Sequence, residues 1–566
     1  MAAVQKLELT WIGKDKEERV ESRILIYDKE KSYGDQNTGN MLIHGDNLLA
    51  LKSLEQDYAG KVKCIYIDPP FNTGEAFENY DDNMELSLWL NLMRCRLRML
   101  YTLLSEQGTI FIHIDDGNLG YLLLLLDEIF GRKNRLYTIT FKQGAATGHK
   151  AINPGCVTTT NFILMYAKNK TEWNPNRVFT KRERDTRYGK YITNIEDKYK
   201  NWQISTLTEA FADFIGKGIK ETRRYIKENP QAIDKFVIDN SKAVIRTAQP
   251  DIKNVGKDIQ EKVLESKTHA DHILYLERVN HPDMYFLNGE RILFYKDKLK
   301  NIDGKLVSGE PLTTLWDDIL SNNLHNEGDV RFPKGKKPEH LVKRLLELST
   351  EKGDLILDSF LGSGTTAAVA HKMSRRYIGI EMGEQCYTHC KVRLDKVVDG
   401  EQGGISKTVN WQGGSGYRFY ELAPSMLKKD KHNQWVFDYD AYEPEQRENM
   451  IAEAIAKLNG YHYAPDEDVF WKQGMSQSGS YIYTTMQYIS SKYMDGIFKS
   501  MNGDERLLVC CPAFDNGLGD RYDNIVVKKI PQAVLDKCEF GREDYKINII
   551  ETPDKNEEAD EVDDDE

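Results

Sequence analysis

A chain of 566 residues is too long for one compact domain, and roughly three or four are expected. Apolar residues make up 40% of it, enough for real cores, yet no run of about eighteen apolar residues occurs, which argues against a membrane span. The net charge of −12 argues against a nucleic-acid partner only if it is spread evenly, and it is not: "ETPDKNEEADEVDDDE" (551–566) is nearly all acid, whereas "KRERDTRYGK" (181–190) is basic.

In chain order, the N-terminus "MAAVQKLELTWIGKDKEER" lacks the apolar core of a signal peptide. The eight cysteines form no framework. Both features suit a cytoplasmic, nucleoid-associated location. "NMLIHGDN" is expected as a strand ending on Gly45–Asp46, and "NLLALKSLEQ" as the helix after it. "CIYIDPPFNTGEAF" follows. Its apolar run reads as a buried strand, and Pro69–Pro70 cannot continue a central strand because neither donates a backbone hydrogen bond. Asp68 and Phe71 are therefore held side by side at the strand's exit. "LWLNLMRCRLRMLYTLLSEQ" is a long amphipathic helix ending near Gly108, "GTIFIHIDD" a strand and "GYLLLLLDEIFG" a helix. This βα alternation predicts a parallel sheet covered by helices on both faces.

Residues 142–315 lose that alternation and are expected as an inserted domain. "RRYIKENPQAIDKFV" and "KDIQEKVLES" read as surface helices, and "MYFLNGERILFY" as a hairpin turning at Asn288–Gly289. From Pro338 the α/β pattern returns with the helix "PEHLVKRLLELSTEKG", the strand "DLILDSF" ending on Asp358, the turn "LGSGTT", and the strand "RYIGIEM" ending on Glu381. After about residue 400 the style changes again. "GGISKTVNWQGGSGYRFYEL" is Gly-rich and β-like, and 430–548 reads as a separate domain. Cys386, His389 and Cys390 lack the second pair and the spacing of a metal site, so no metal is expected.

"DSFLGSGTT" links a strand to a helix. Its glycines permit a tight turn and a close ligand approach, and no Lys follows the last Gly as a phosphate loop requires. Glu381 closes the next strand about twenty residues on, where a Rossmann-like site places the carboxylate for ribose hydroxyls. The two motifs together resemble the DNA amino-methyltransferases that use S-adenosylmethionine. The family's DPP(Y/F/W) loop stands here as Asp68–Pro69–Pro70–Phe71, and its FxGxGT motif as Phe360–Leu361–Gly362–Ser363–Gly364–Thr365. Their order, catalytic motif first and cofactor motif last, is that of the β-class. "DPPFNTG", "GTIFIHIDD" and "LWDDI" look most like the modification subunits of type III restriction systems. The resemblance covers about residues 8–395.

The resemblance implies an α/β, Rossmann-like, doubly wound methyltransferase sheet in circularly permuted order. Residues 1–141 and 316–400 would form its halves and 142–315 a target-recognition insert. Residues 401–550 would form a C-terminal domain for dimer or partner contact, with 551–566 a disordered acidic tail. It implies transfer of a methyl group to N6 of an adenine flipped out of duplex DNA. Asp68 and the Pro69 carbonyl would hold the amine, Pro70 would stiffen the loop, and Phe71, replacing the commoner tyrosine, would stack on the base. S-adenosylmethionine would be held by Asp46, Asp68, Asp358, Phe360, Gly362, Gly364, Thr365 and Glu381, with Lys337, Pro338 and His340 from the segment before the cofactor strand. Asp46 serves equally well as a turn residue, and Lys337, Pro338 and His340 as a plain helix start. The basic run offers Lys181, Arg182, Arg184 and Arg187 to DNA phosphates. A homodimer and a helicase–nuclease restriction subunit are the implied protein partners. N4 of cytosine as target, a catalytically silent specificity subunit, and an RNA methyltransferase stay open as alternatives.

Overall fold

The computed structural model describes residues 8–15, 20–21, 23–72, 85–144, 155–269, 272–279, 281–319, 324, 327–332, 335–438 and 447–530. The acidic tail 551–566 lies outside these residues, as do Thr73 and Gly74. The chain divides into two compact units, Met1–Asn176 with Thr314–Glu566, and Arg177–Thr313.

The first unit is organised by a ten-stranded sheet. Its strands are β1 (Leu25–Gly34), β2 (Met41–His44), β3 (Val62–Ile67), β4 (Leu104–Ile114), β5 (Arg135–Lys142), β6 (Thr160–Ala167), β7 (Leu315–Trp316), β8 (Leu355–Asp358), β9 (Arg376–Glu381) and β10 (Gly416–Leu422). Their spatial order is β1-β10-β2-β9-β8-β3-β4-β6-β5-β7. From β10 to β4 every pairing is parallel. The central strands "MLIH", "VKCIYI", "LILD" and "RYIGIE" are near-continuous apolar runs because both faces of a parallel sheet are covered. The covering helices are α1 (Asn47–Tyr58), α2 (Leu86–Leu103), α3 (Asp116–Leu126), α4 (Glu339–Ser349) and α5 (Thr365–Lys372). Leu51, Leu54, Trp89, Met93, Leu97, Leu100, Ile65, Ile67, Ile110 and Ile112 form one core, each at most 1% exposed. Burying a side chain of this size contributes about 1.5–3 kcal/mol.

The α/β, doubly wound class is the one expected, while several boundaries differ. α2 ends at Leu103 and β4 already begins at Leu104, because Leu104 pairs with Val62. The expected start of the insert, 142, precedes β6, which hydrogen-bonds between β4 and β5 in the central sheet; the separate unit begins only at Arg177. β10 also joins the central sheet, parallel to β2 and antiparallel to β1, although it lies beyond the expected boundary at 400. Further on, a five-stranded sheet of Tyr461–Tyr463, Gly474–Ser476, Tyr481–Thr484, Leu507–Cys511 and Ile525–Lys529 is accompanied by helices Arg447–Leu458 and Ser491–Ser500.

Among its described residues, the Arg177–Thr313 unit holds a six-stranded antiparallel sheet, a three-stranded sheet and four α-helices. The hairpin expected at Asn288–Gly289 forms there. Leu287 pairs with Glu290, and both turn residues take positive φ, 53° and 79°, as the tight turn demands. Pro230 separates helix Ile219–Glu228 from Pro230–Asp239 and occupies the first turn of the second.

Candidate active site at the carboxyl edge of the central sheet

β8 and β3 are hydrogen-bonded neighbours, with Leu357 opposite Ile65. Asp358 and Asp68 therefore leave the sheet side by side, although about 290 residues separate them along the chain. β9 lies on the other side of β8, pairing Asp358 with Gly379, and ends on Glu381 opposite His44 of β2. Three carboxylates thus gather where adjacent parallel strands end, the place such sheets offer a ligand.

Asp68 is held through one oxygen. The Lys337 ammonium lies 2.6 Å from Oδ2, with the two side chains 12% and 20% exposed respectively. Oδ1 is buried and accepts no hydrogen bond among the described residues. Burial pushes the Asp68 carboxyl above its usual range, and the Lys337 charge opposes that rise. The loop that follows is pinned through its backbone. Trp89 Nε1 donates to the Pro70 carbonyl (2.9 Å), and Asn118 Nδ2 donates to those of Phe71 (2.7 Å) and Asn72 (3.3 Å). Asn72 itself takes a left-handed φ of 58°. The Phe71 ring stacks on His113 at 5.8 Å between centres, with the Lys337 ammonium 5.4 Å from its centre. His113 is wholly buried, bonded through Nδ1 to Tyr66 Oη (3.2 Å), with Asn161 Nδ2 3.3 Å from Nε2. Burial and the nearby Lys337 charge hold its pKa well below the ordinary value, so the ring is neutral.

The second motif forms a cradle. Gly362 adopts φ 56°, and a Cβ placed there meets open space. Its N–H donates to Glu381 Oε2 (2.7 Å), while Met382 N and Gln385 Nε2 donate to Oε1 (both 3.0 Å). Glu381 thereby holds the loop's backbone. Asp358 accepts from Phe360 N (2.9 Å) and Thr366 Oγ1 (2.6 Å). Burial raises its pKa to about 7 despite those bonds, and the Asp68 and Glu381 charges add to the rise. The far side of the loop is packed: a Cβ on Gly364 would sit 3.3 Å from Cys390 Cα. Thr365 Oγ1 accepts from Arg393 (2.7 Å) and donates to the Lys337 carbonyl (3.3 Å). Behind it, Arg393 and Lys372 flank Glu339 at 2.7 and 2.8 Å, all three fully buried. An open glycine face beside three carboxylates fits a cationic adenosine cofactor such as S-adenosylmethionine.

The remaining expected residues are less central. Asp46 caps α1, accepting from Leu48 N and Leu49 N, and Arg96 approaches its other oxygen at 3.3 Å. Pro338 caps α4, and His340 lies exposed on its first turn. Cys386 and Cys390 are buried, and the Cys390 thiol donates to the Gly362 carbonyl (3.0 Å). The basic run of the Arg177–Thr313 unit largely neutralises itself. Arg184 pairs with Asp234 (2.6 Å), Arg187 with Asp185 (2.7 Å) and Arg182 with Glu310 (3.7 Å), while Lys181 is exposed.

Sequence reasoning missed Trp89, His113, Asn118 and Thr366. A histidine inside the apolar run "GTIFIHIDD" was the available signal for one of them. It also missed Arg246 and Arg291. They share one face of adjacent strands, since Arg246 opposes Leu293 and Ala248 opposes Arg291. The Nε atoms of both are buried without a hydrogen-bond partner among the described residues, and Arg246 lies over the Tyr188 ring at 5.3 Å. Burial and the Arg278 charge lower the pKa of Arg291, the signature of crowded cations.

Comparison with known proteins shows which family the chain resembles. The HindVI Mod subunit of a probable type III restriction-modification enzyme from Haemophilus influenzae is 39% identical over 411 residues, 68% of this chain and 54% of that protein. The chain thus spans about half the length of that relative. The EcoP15I Mod subunit of a type III restriction-modification enzyme from Escherichia coli is 25% identical over 82% of this chain and 79% of its own. Among solved structures, the PvuII DNA methyltransferase (cytosine-N4-specific) aligns with a TM-score of 0.31 at 14% identity, covering 63% of this chain and 86% of its own. The family described as DNA methylase (N6_N4_Mtase) matches residues 62–391, more than half of the chain and a span that contains both motifs, and the chain belongs to that family.

Proposed function

We propose that the chain is a site-specific DNA methyltransferase that moves a methyl group from S-adenosylmethionine to N6 of adenine in duplex DNA. We further propose that it is the modification subunit of a type III-like restriction system in the cytoplasm. The observation that carries this reading is the half-engaged carboxylate of Asp68, anchored at Oδ2 and buried without a hydrogen-bond partner at Oδ1 among the described residues, next to the Phe71 ring.

An exocyclic amine is a poor nucleophile because its lone pair is delocalised into the base. Two acceptors that take its hydrogens draw the nitrogen toward tetrahedral geometry. Asp68 Oδ1 is one. The Pro69 carbonyl is the other, since those of Pro70, Phe71 and Asn72 already accept from Trp89 and Asn118. The target nitrogen is unreachable within a base stack, so the base must be flipped, and Phe71 offers it an aromatic surface. S-adenosylmethionine, when bound, supplies a methyl group activated on a sulfonium. Asp46, Asp358, Phe360, Gly362, Gly364, Thr365 and Glu381 would hold it, with Lys337, Pro338 and His340 alongside. Rate then comes from orientation and electrostatics.

The Arg177–Thr313 unit would contact DNA, through Lys181, Arg182, Arg184 and Arg187 and through Arg246 and Arg291. The layout shared with type III subunits supports a homodimer and a helicase–nuclease partner. Single-molecule sequencing of DNA from cells expressing the chain tests the central reading: N6-methyladenine in a fixed sequence context is expected. N4-methylcytosine would move the reading to the cytosine alternative, and unmodified DNA would refute methylation. Light scattering that gave the 65.3 kDa monomer with full activity would sink the homodimer. Failure of the complex purified from its source to cleave unmodified DNA with ATP would sink the restriction partner.

A further inference from the structure

Lys337 joins the two motifs physically. Its main-chain carbonyl accepts the Thr365 hydroxyl at the start of α5, and its ammonium reaches Asp68 Oδ2 at 2.6 Å and the Phe71 ring at 5.4 Å. The segment before α4 thus spans from the glycine loop to the catalytic loop. Among the described residues, the groups facing Asp68 are otherwise uncharged or acidic. Tyr66 lies on β3 itself, neutral His113 on β4, and Asp358 at the end of β8 with Glu381 beyond it. Lys337 is the one cation within salt-bridge distance of Asp68 among the described residues.

We propose that Lys337 is a positioning residue for methyl transfer: it clamps Oδ2 of Asp68, leaves Oδ1 turned toward the target amine, and ties that orientation to the glycine loop. This rests on the methyl-transfer reading above. The physical reason is that a carboxylate has two equivalent oxygens and rotates freely unless one is fixed. An ionised carboxylate is also a stronger acceptor than the neutral acid. Burial favours the neutral acid here, and the adjacent ammonium opposes that rise. A plain cofactor anchor, the role the resemblance implies, needs no contact with Asp68. The observed contact is with the catalytic carboxylate.

The two roles separate experimentally. Lys337→Met keeps length and removes charge. The expected result is a single-turnover rate, measured at saturating cofactor, reduced about 10–100-fold. The acid limb of the pH–rate profile should move up by about one unit, because Asp68 without its ammonium protonates at higher pH. Lys337→Arg should bring the limb back. In an Asp68→Asn background, Lys337→Met should shift no limb. If the methionine variant does not fold, Lys337→Gln, which loses the charge but keeps a donor, supplies the same measurement. An unmoved acid limb in active protein, or a loss confined to cofactor affinity, overturns the proposal while leaving methyl transfer intact. A wild-type protein that methylates no DNA overturns the functional reading and this proposal with it.

Discussion

The carboxyl edge of the central sheet and the Arg177–Thr313 unit both concentrate charge, and they hold it in opposite ways. At the sheet edge, Asp68, Asp358 and Glu381 are delivered by strand ends, and Asp358 and Glu381 are braced by backbone N–H donors. In the other unit, Arg184 and Arg187 reach carboxylates of their own neighbourhood, Asp234 and Asp185, side chain to side chain. Register fixes the first set to within the geometry a reaction needs. The second is set by side chains that reorganise more cheaply than strand ends do. The contrast also teaches that a basic run in a sequence is poor evidence for a basic surface, because nearby acids cancel it.

The comparison is broken most severely at the buried charges. Glu339→Ala removes the carboxylate between buried Lys372 and Arg393, leaving Lys372 its pair with Glu401 but Arg393 only uncharged partners, and a loss of about 3–5 kcal/mol is expected. A thermal-unfolding midpoint unchanged in this variant would show that the network does not brace the glycine loop. Asp68→Ala should lower single-turnover methylation by about 10²–10³-fold, the loss typical of removing one preorganised electrostatic group, with cofactor binding by calorimetry retained. Normal turnover would refute Asp68 as the amine acceptor. Gly362→Leu forces a side chain into the left-handed region, at about 1–2 kcal/mol, and fills the open face of the loop. Cofactor affinity should fall at least about tenfold, and undiminished binding would make the loop a packing turn only.

The other unit sharpens the contrast with smaller effects. If Arg246 and Arg291 meet phosphates, replacing each with Gln should reduce the slope of log affinity against log salt by about 1. Replacing Lys181, Arg182, Arg184 and Arg187 together should change the slope less per residue, because three of them are internally paired. Equal changes per residue would restore the run to the interface. At the far end of the scale, Glu228→Ala removes an exposed helix pair with Arg224, 84% and 59% exposed, and should alter stability by less than about 0.5 kcal/mol.

Local chemistry made part of the molecule legible in the sequence alone. Two prolines after an apolar run end a strand wherever they occur, so Asp68 and Phe71 had to stand at its exit. The glycines of "FLGSGTT" had to form a turn that a side chain would block, and Asn288–Gly289 had to turn a hairpin. Only the tertiary structure decided the pairings between distant segments. That β10 and β6 enter the central sheet, that Asp358 neighbours Asp68, that Lys337 grips one oxygen of the Asp68 carboxylate, and that Arg184 and Arg187 are already paired all follow from strand register and packing. Those are set by the whole chain's burial of apolar surface, and a short stretch of sequence carries no record of which distant segment will complete its hydrogen bonds.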